Sequence, residues 1–224
     1  MFPSLKNSPL FFGMSEGEIN NCLICSKSDV VSYGKDEIVF YQKDVPTHLL
    51  ILIEGSVTIC NDTATGKRSI IATFHQSGEL FGEVFVFLKR EEYDHYVQAI
   101  TPAKIMRIPK EFFFHTCQKN CEYHARLISN LLTILANKAY ILNQKVQILS
   151  CVTLRQKIAT LLLRNSNADG KVSLSMKREE LADYLNTARP SLSRELMNMQ
   201  ADGLIRIQKR DIRILNFDKL QSIL

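Results

Sequence analysis

Two arginines and a serine within one short stretch carry the clearest chemistry in this chain. Arg189, Ser193 and Arg194 fall on one face of a predicted helix, and Pro190 and Ser191 stand in its first turn. An arginine can donate two hydrogen bonds to one guanine edge, and a serine can bond several bases. The positive end of a helix also favours nearby phosphates. The stretch is therefore predicted to enter the major groove of DNA.

Two short amphipathic helices are expected to position this surface. Leu181, Ala182 and Leu185 share one face of the first helix, and the small Ala182 allows a second helix to cross closely. Asn186 is predicted to end the first helix in the left-handed conformation. Pro190 costs little in the first turn of the second helix, where an N–H has no partner. The second helix should bury a stripe formed by Leu192, Leu196 and Met199.

An apolar alternation after Gly203 predicts a β-hairpin wing. Its inward residues are Ile205, Ile207, Ile212 and Ile214. The turn between the two runs contains Lys209 and Arg210, whose positive charges are predicted to contact DNA phosphates. The alternative for the whole region is an amphipathic helical hairpin packed inside an ordinary domain.

Three segments of this region carry a family resemblance: Leu-Ala-Asp-Tyr-Leu at 181–185, Ala-Arg-Pro-Ser-Leu-Ser-Arg-Glu-Leu at 188–196 and Asp-Gly-Leu-Ile at 202–205. They resemble the winged helix-turn-helix of the Crp/Fnr family of bacterial transcription regulators. The Ser193-Arg194 pair is the most specific element. Pro190 stands where much of the family has a base-reading glutamate, so the resemblance implies a different target sequence.

Length and composition are those of an ordinary globular protein with one large or two modest domains. The chain has 224 residues, 46% of them hydrophobic and 23% charged, and a net charge of +5. The whole positive excess lies after residue 150, in the part that carries the predicted helix-turn-helix. Because the sequence has neither a signal-peptide layout nor a membrane-length apolar run, a cytoplasmic protein with no membrane partner is expected. Its six cysteines are then more typical of thiols than of disulfides.

Short β runs separated by turn signals fill the N-terminal half. The runs are Glu37–Tyr41, His48–Ile53, Ser56–Cys60, Ser69–Phe74, Tyr96–Ile100 and Lys104–Ile108. Regular short strands of this kind predict an all-β barrel or sandwich. Ahead of them, Ser15 and Glu18 form a predicted capping box at the start of a helix that contains Cys22 and Cys25.

The order of these strands resembles the cyclic-nucleotide-binding type of β-barrel, the sensor half of Crp/Fnr proteins. Gly55, Gly66, Gly78 and the triplet 81–83 stand at family positions. Asp36 and Lys43 occupy two positions that are usually glycine, which makes the local turn shape uncertain.

The resemblance also proposes an effector pocket. Its candidate residues are Gly82, Glu83, Tyr93, Tyr96, Asn137 and Lys138. Family members that bind cyclic nucleotides combine the Gly-Glu pair with an Arg followed by Ser or Thr, and Tyr93 and Asp94 occupy those two places here. A carboxylate at the second place would repel a phosphate. An effector other than cyclic AMP is therefore expected, and the cofactor, if there is one, is unknown.

Cysteines and histidines leave other sensors open. Cys22 and Cys25 form a Cys-x-x-Cys pair, and Cys117 and Cys121 lie close in sequence to His115 and His124. A redox switch, a metal site or haem would make a gas or redox sensor of the same family. His75 is expected at a strand end, and no histidine matches a ligand position of the haem-binding relatives. Small buried thiols are the simpler interpretation, and no metal ligands are assigned. The chain lacks the usual hydrolase, phosphate-loop and metalloprotease patterns, so it is not expected to be an enzyme.

A long helix without glycine or proline is predicted between the two halves. Its apolar seam consists of Ile128, Leu132, Leu135, Ala139, Leu142, Val146 and Leu149. Alternating steps of four and three residues favour a parallel two-stranded coiled coil, and the equivalent helix of the family forms the dimer. The alternative is a helix packed on its own barrel.

Together these patterns predict an α+β protein with three parts. Residues 1–115 form the effector-sensing barrel (a double-stranded β-helix or jelly roll), residues 116–150 the dimerisation helix, and residues 151–224 the winged helix-turn-helix. The expected function is that of a homodimeric transcription regulator that binds palindromic double-stranded DNA. RNA polymerase and a small-molecule effector are candidate partners. The alternative function is a sensor that acts mainly through protein contacts.

Overall fold

The computed structural model describes residues 3–62, 68–88, 90–114, 122–174, 176–208 and 211–224. The chain divides into two compact units, residues 1–136 and residues 137–224. Sheet predominates in the first unit and helix in the second, so the expected α+β class is confirmed.

Eight strands of the first unit form two antiparallel sheets. In chain order they are β1 (Asp29–Tyr33), β2 (Ile38–Phe40), β3 (His48–Glu54), β4 (Val57–Asp62), β5 (Arg68–Phe74), β6 (Leu80–Phe81), β7 (Tyr96–Ala99) and β8 (Ala103–Pro109). One sheet has the order β1-β8-β3-β6 and the other β2-β7-β4-β5. Leu52 and Ile105 of the first sheet share a buried cluster with Val57 and Val97 of the second, so the sheets enclose one interior.

Strand β3 is buried on both of its faces, so the sheet of the first unit that contains it must be covered by helices. Leu50 and Leu52 point into the barrel interior, whereas Leu49 and Ile51 belong to a second buried cluster on the opposite face. Successive strand residues alternate between faces, so an apolar run buried on both faces requires a covering layer. That layer comes from two 3-10 turns (Pro3–Asn7 and Pro9–Phe11), helix α1 (Glu16–Ser26) and the first part of a longer helix, all of which contribute to the second cluster.

Local backbone rules fix the turns between these elements. Helix α1 begins with the expected capping box, in which Ser15 and Glu18 exchange bonds with each other's backbone N–H. Asp36 and Lys43 both adopt left-handed conformations, with φ of 67° and 74°, so the family turn shape is kept without glycine. Position 55 requires glycine, because a Cβ there would lie 2.2 Å from the Pro102 carbonyl oxygen.

Three further helices follow the strands of the barrel. Helix α2 (Glu83–Phe87) follows β6, helix α3 (Glu111–Phe114) follows β8, and helix α4 runs over Glu122–Leu149. Sequence periodicity indicated neither α2 nor the strands β1 and β6, which are short or lie beside stronger turn signals. Helix α4 agrees with the predicted long helix over the part that is described.

The second unit continues from α4 into a small helical domain with a three-stranded sheet. Its elements are α5 (Leu154–Arg164), β9 (Lys171–Val172), α6 (Arg178–Tyr184), α7 (Arg189–Ala201), β10 (Ile205–Gln208), β11 (Asp211–Ile214) and α8 (Phe217–Gln221). The sheet order is β10-β11-β9. Ile158 of α5, Leu181 of α6, Leu196 of α7 and Ile212 of β11 pack in one core, which holds the helices and the sheet in a fixed arrangement.

Candidate functional site

The turn between α6 and α7 has the tight geometry expected for a helix-turn-helix. Asn186 is left-handed, with φ of 50°, as predicted. The N–H of Thr187 donates to the Ala182 carbonyl oxygen at 2.9 Å, which closes the end of α6. Ala188 then caps α7 in an extended conformation, and Pro190 lies in the first turn without disturbing the helical hydrogen bonds.

Helix α7 separates a packed face from an open one. Leu192, Leu196 and Met199 are buried in the core of the second unit. On the other face the structure leaves four of the predicted DNA-binding side chains exposed, and they are Arg189, Pro190, Ser193 and Arg194. Ser191, the fifth, is half-buried. Lys209 and Arg210, predicted at the tip of the wing, lie outside the described residues.

One arginine that sequence patterns did not indicate fixes the orientation of α7. The Arg155 Nε of α5 donates to Glu195 Oε1 at 2.5 Å, and its Nη1 donates to Asp202 Oδ2 at 2.7 Å. The two carboxylates raise the pKa of Arg155 above its usual value, because both stabilise the charged guanidinium. These two ion pairs of Arg155 therefore hold the middle and the end of α7, the candidate recognition helix, against α5.

The wing is joined to α7 through its backbone. Ile205 pairs with Ile214 and Ile207 with Ile212, which is the predicted hairpin. The N–H of Ile207 donates to Gln200 Oε1 at 2.7 Å. The hairpin is therefore held in a defined position beside the last turn of α7.

In the barrel, the Gly-Glu pair stands at a helix start. Gly82 is left-handed, with φ of 71°, and it caps α2. Its Cα faces Phe40 and Leu50, whose side-chain atoms would lie 3.6 and 3.8 Å from an added Cβ. Glu83 is only 3% exposed.

Near the Gly-Glu pair, aromatic side chains of the barrel pack against one another. Tyr93 stacks on Phe40 with ring centroids 3.7 Å apart, and Phe85 lies 5.3 Å from Tyr93. Burial raises the pKa of Tyr93 to about 12, so its phenol stays neutral at physiological pH. The cluster is therefore part of the packed interior of the barrel.

The carboxylate of Asp94 contacts two side chains close to it in sequence. Its Oδ1 lies 2.6 Å from His95 Nδ1, and its Oδ2 lies 3.7 Å from Arg90 Nη1. Because a carboxylate accepts hydrogen bonds, His95 Nδ1 carries the proton of this contact. His95 Nε2 is buried and has no hydrogen-bond partner among the described residues.

The structure places Tyr93 and Tyr96 on different faces of the barrel wall. Tyr96 opens strand β7, whose alternate residues Val97 and Ala99 are the buried ones. Tyr96 therefore faces outward, and its hydroxyl donates to Asp62 Oδ1 at 3.1 Å. The other two predicted pocket residues, Asn137 and Lys138, lie on α4 in the second unit.

A half-open cavity of about 310 Å³ does lie beside Tyr93. Phe40, Tyr93, His48 and Arg107 are among its lining residues. Its arginine is already engaged, because Arg107 Nε donates to Asp29 Oδ1 at 2.8 Å and a terminal nitrogen bonds the other carboxylate oxygen. This pairing lowers the pKa of Asp29.

The candidate metal and thiol ligands do not converge within the described part of the chain. Cys22 is buried and Cys25 exposed on α1, and Cys60 is buried in β4, where it accepts from Arg68 Nε at 3.0 Å. His75 is exposed just after β5. No group of three possible ligands is found in this part. Cys117, Cys121 and His115 lie outside it.

Seam residues on α4 are unequally exposed. Leu132, Leu142 and Val146 are about 60% exposed, at 62%, 63% and 59%. Ala139 is also exposed, whereas Leu135 packs partly against the helix layer of the first unit. Ile128 and Leu149 are half-buried. None of the described helices combines the length and apolarity needed to cross a membrane.

Comparisons with known proteins agree with both halves. Residues 30–120 match the family model of the cyclic nucleotide-binding domain, and residues 156–223 match that of the Crp-like helix-turn-helix domain. The chain is 23% identical over 219 residues to the cyclic AMP receptor protein of Thermus thermophilus, covering 98% of each chain. It is 27% identical over 199 residues to the transcriptional activator protein FnrA of Stutzerimonas stutzeri, covering 84% of this chain and 79% of that relative. A crystal structure of the Thermus thermophilus catabolite activator protein matches the fold with a TM-score of 0.54 at 22% identity, covering 96% of this chain and 98% of that one.

A cyclic nucleotide-binding fold followed by a Crp-like helix-turn-helix defines a DNA-binding transcription regulator. The chain belongs to the Crp/Fnr family of these regulators. The family consists of transcription regulators and not of enzymes.

Proposed function

We propose that the protein is a homodimeric, cytoplasmic regulator that reads a palindromic DNA site with α7. The observation that carries this proposal is the open face of α7. Ser193 and Arg194 are exposed there, one to two turns from the helix start, while the opposite face of the helix packs in the core. In helix-turn-helix proteins, the N-terminal residues of the second helix contact base edges. The proposed organisation is a sensor at 1–115, a dimer helix at 116–150 and a DNA-binding domain at 151–224.

The residues of the open face have separate roles in this proposal. Arg194 and Ser193 bond base edges, because they lie on the exposed face within the first two turns. Arg189 and Ser191, at the helix start, contact phosphates together with Lys209 and Arg210 of the wing. Pro190 has no side-chain hydrogen-bonding group, so it contributes only shape and apolar contact at its position.

Paired alanine substitutions test the role in base reading. Ser193→Ala with Arg194→Ala should reduce the discrimination between operator and random DNA by about 1–3 kcal/mol for each bidentate base contact that the substitutions remove. The fold should be unchanged, because both side chains are exposed. Fluorescence anisotropy of the full-length protein with both kinds of duplex measures the ratio.

Lys219→Ala, an exposed change on α8, is the control for the loss of a positive charge. Equal weakening of operator and random DNA by the paired variant would mean that Arg194 is a phosphate contact and would overturn the assignment of base reading to it.

Dimerisation is proposed to use the exposed apolar positions of α4. Leu132, Ala139, Leu142 and Val146 follow the heptad spacing and have no covering neighbours sufficient to bury them within the described chain. Leu132→Glu with Leu142→Glu should give monomers whose operator affinity is at least about 100-fold lower, because two linked half-site contacts become one. Sedimentation velocity measures the assembly state.

The dimer test has a matched control on the same helix. Ser129→Glu with Asn143→Glu adds the same charge at polar positions outside the predicted seam. An unchanged sedimentation coefficient for the leucine variant, or equal dissociation of the control, would refute the seam.

The sensor is proposed to respond to an effector other than a cyclic nucleotide. Tyr93 is packed into the aromatic cluster, and the Asp94 carboxylate lies against His95. At these two positions the resemblance expects an Arg followed by Ser or Thr in relatives that bind cyclic nucleotides. The named activity of the Thermus relative, a cyclic AMP receptor, is therefore not carried over to this chain. Effector binding would act by favouring one of two dimer geometries. Cyclic AMP or cyclic GMP should leave the free energy of unfolding unchanged, whereas a true ligand at 100 times its own dissociation constant would add about 2.7 kcal/mol.

A further inference from the structure

A row of three positive side chains crosses the sheet of the second unit. Arg206 of β10 pairs directly with Arg213 of β11, and Arg213 pairs with Lys171 of β9. All three side chains are exposed. Neighbouring strands lie about 4.8 Å apart, so the three attachment points span roughly 10 Å in a line across the sheet. These residues are called the basic row below.

The basic row is unfavourable for the isolated fold. Like charges directly opposite each other on neighbouring strands destabilise a sheet. None of the three side chains has an ion-pair partner within 4.0 Å among the residues that the structure describes. Arg213 Nε donates to the Asp169 carbonyl oxygen at 3.1 Å, which holds the guanidinium at the sheet without neutralising it.

Two carboxylates border the row and reduce its potential. Asp169 and Asp211 line the same shallow groove of about 310 Å³ as the three basic residues. Among the described residues, neither carboxylate lies within ion-pair distance of the row, although both line the same groove. The described part of the groove keeps one net positive charge, and its three cations point to the same side of the sheet.

The basic row faces away from the core that holds α7. Ile205, Ile212 and Ile214 alternate with the row along the strands and are buried with Leu192 and Leu196 of α7. The row is therefore on the opposite face of the wing sheet. The wing sheet therefore lies between the row and α7.

We infer that the basic row binds phosphates of double-stranded DNA outside the base pairs that α7 reads. Duplex DNA presents one negative charge per about 1.7 Å of its axis, which is the ligand that a line of three fixed cations fits best. The contact would lengthen the DNA footprint and add affinity without sequence preference. This inference rests on the proposed function, because it requires that α7 bind DNA.

Two duplexes distinguish the row from the recognition helix. Each carries an operator selected by the wild-type protein; one ends at the outermost selected base pair, and the other has about 12 additional base pairs on each side, roughly one helical turn. The variant is Lys171→Gln with Arg206→Gln and Arg213→Gln in the full-length chain. Its control is Lys6→Gln with Lys35→Gln and Lys219→Gln, which removes the same charge from exposed positions elsewhere.

The wild-type protein is expected to bind the longer duplex more tightly and with a steeper dependence on salt. The row variant should not show this gain, and the slope of log K against log salt should fall in magnitude by about 0.9 for each phosphate that the variant no longer neutralises. It should bind the short duplex as the wild type does, and its melting temperature should be equal or higher, because a like-charge row has been removed. A single Arg206→Gln variant should show part of the same reduction.

Several results would overturn the inference. One is a row variant that keeps the wild-type gain on the longer duplex, which would show that the row does not contact the flanking DNA. Another is an equal loss in the charge control, which would show a general effect of net charge. If the wild-type protein binds the longer duplex no more tightly than the shorter one, the inference is overturned and the proposed function stands. If the wild-type protein selects no operator, the proposed function is overturned as well.

Discussion

The open face of α7 and the aromatic cluster of the barrel are both candidate ligand sites, but their chemistry differs. On α7, Ser193 and Arg194 present polar groups to solvent from a helix whose other face is fully packed. In the barrel, Tyr93 is 4% exposed and stacks on Phe40, so its ring is part of the core. The open face of α7 presents polar groups that a ligand can contact, whereas the aromatic rings of the barrel contact one another within the protein.

The two regions therefore differ in what their candidate residues do. In the barrel, Gly82 and the left-handed residues Asp36 and Lys43 shape the backbone. The charged groups near it are paired within the protein, as Arg107 is with Asp29. A backbone pattern therefore supports the fold of the barrel, whereas the side chains decide what it binds.

Removing the Tyr93 ring should have the largest effect on stability. Tyr93→Ala leaves a cavity beside Phe40 and Phe85 and should destabilise the barrel by about 3–5 kcal/mol. Calorimetry should show the decrease in the melting of the first unit, while DNA binding below that transition is retained. Tyr41→Ala, at a 61% exposed position, is the control and should change little. Equal stability of the Tyr93 and Tyr41 variants would contradict a structural role for the cluster.

A smaller effect is expected at the start of α7. Arg189 Nη1 lies 3.1 Å from Glu179 Oε1, and both side chains are more than 60% exposed. Glu179→Gln should free Arg189 and remove a negative charge from the DNA-facing surface, tightening DNA binding by up to about 1 kcal/mol, or roughly fivefold. Anisotropy titrations at low salt measure this gain. The same gain from Asp218→Asn on α8 would show that only net charge matters.

The smallest effect concerns the barrel's own ion pair and depends on pH. Arg107 lowers the pKa of Asp29 in the folded state, so the pair stabilises the fold above the unfolded pKa of about 3.9 and this contribution disappears as the pH falls through the folded value. Asp29→Asn should cost less than about 1 kcal/mol at pH 7, because the carboxylate is half exposed. Urea unfolding should show the difference from wild type shrinking below pH 4.

Asp183→Asn, at an exposed position on α6, is the control for this pH dependence. A difference between wild type and Asp29→Asn that stays constant from pH 7 to pH 3 would be inconsistent with the ion pair as its cause.

Local chemistry made the helix-turn-helix predictable from sequence. Asn186 and Pro190 act on their own backbone, and the spacing of Leu192, Leu196 and Met199 identifies the buried face. Sequence spacing did not show that Tyr93 and Tyr96 lie on different faces, because β7 starts only at Tyr96 and the alternation that separates the two faces starts there. Spacing alone did not show whether Leu135 packs within the chain or against a partner, since both need an apolar residue.

Other features depended on contacts between distant residues. Arg155 reaches Glu195 and Asp202 across 40 and 47 positions, and no local pattern predicts such a fork. The basic row of Lys171, Arg206 and Arg213 likewise emerges only from the strand register. Sequence periodicity gives the face of each residue on its own strand, but not which residue lies opposite.

Selection of bound sequences from a random duplex library with the full-length protein tests most directly whether α7 reads DNA as part of a dimer. The expected result is an enriched palindrome whose two half-sites are centred about 10–10.5 base pairs, or ~34 Å, apart. The Ser193→Ala and Arg194→Ala variant should lose the enrichment at defined positions within each half-site. A library that stays random, or one that yields a single unpaired half-site, would contradict the proposal that a dimer reads DNA with α7.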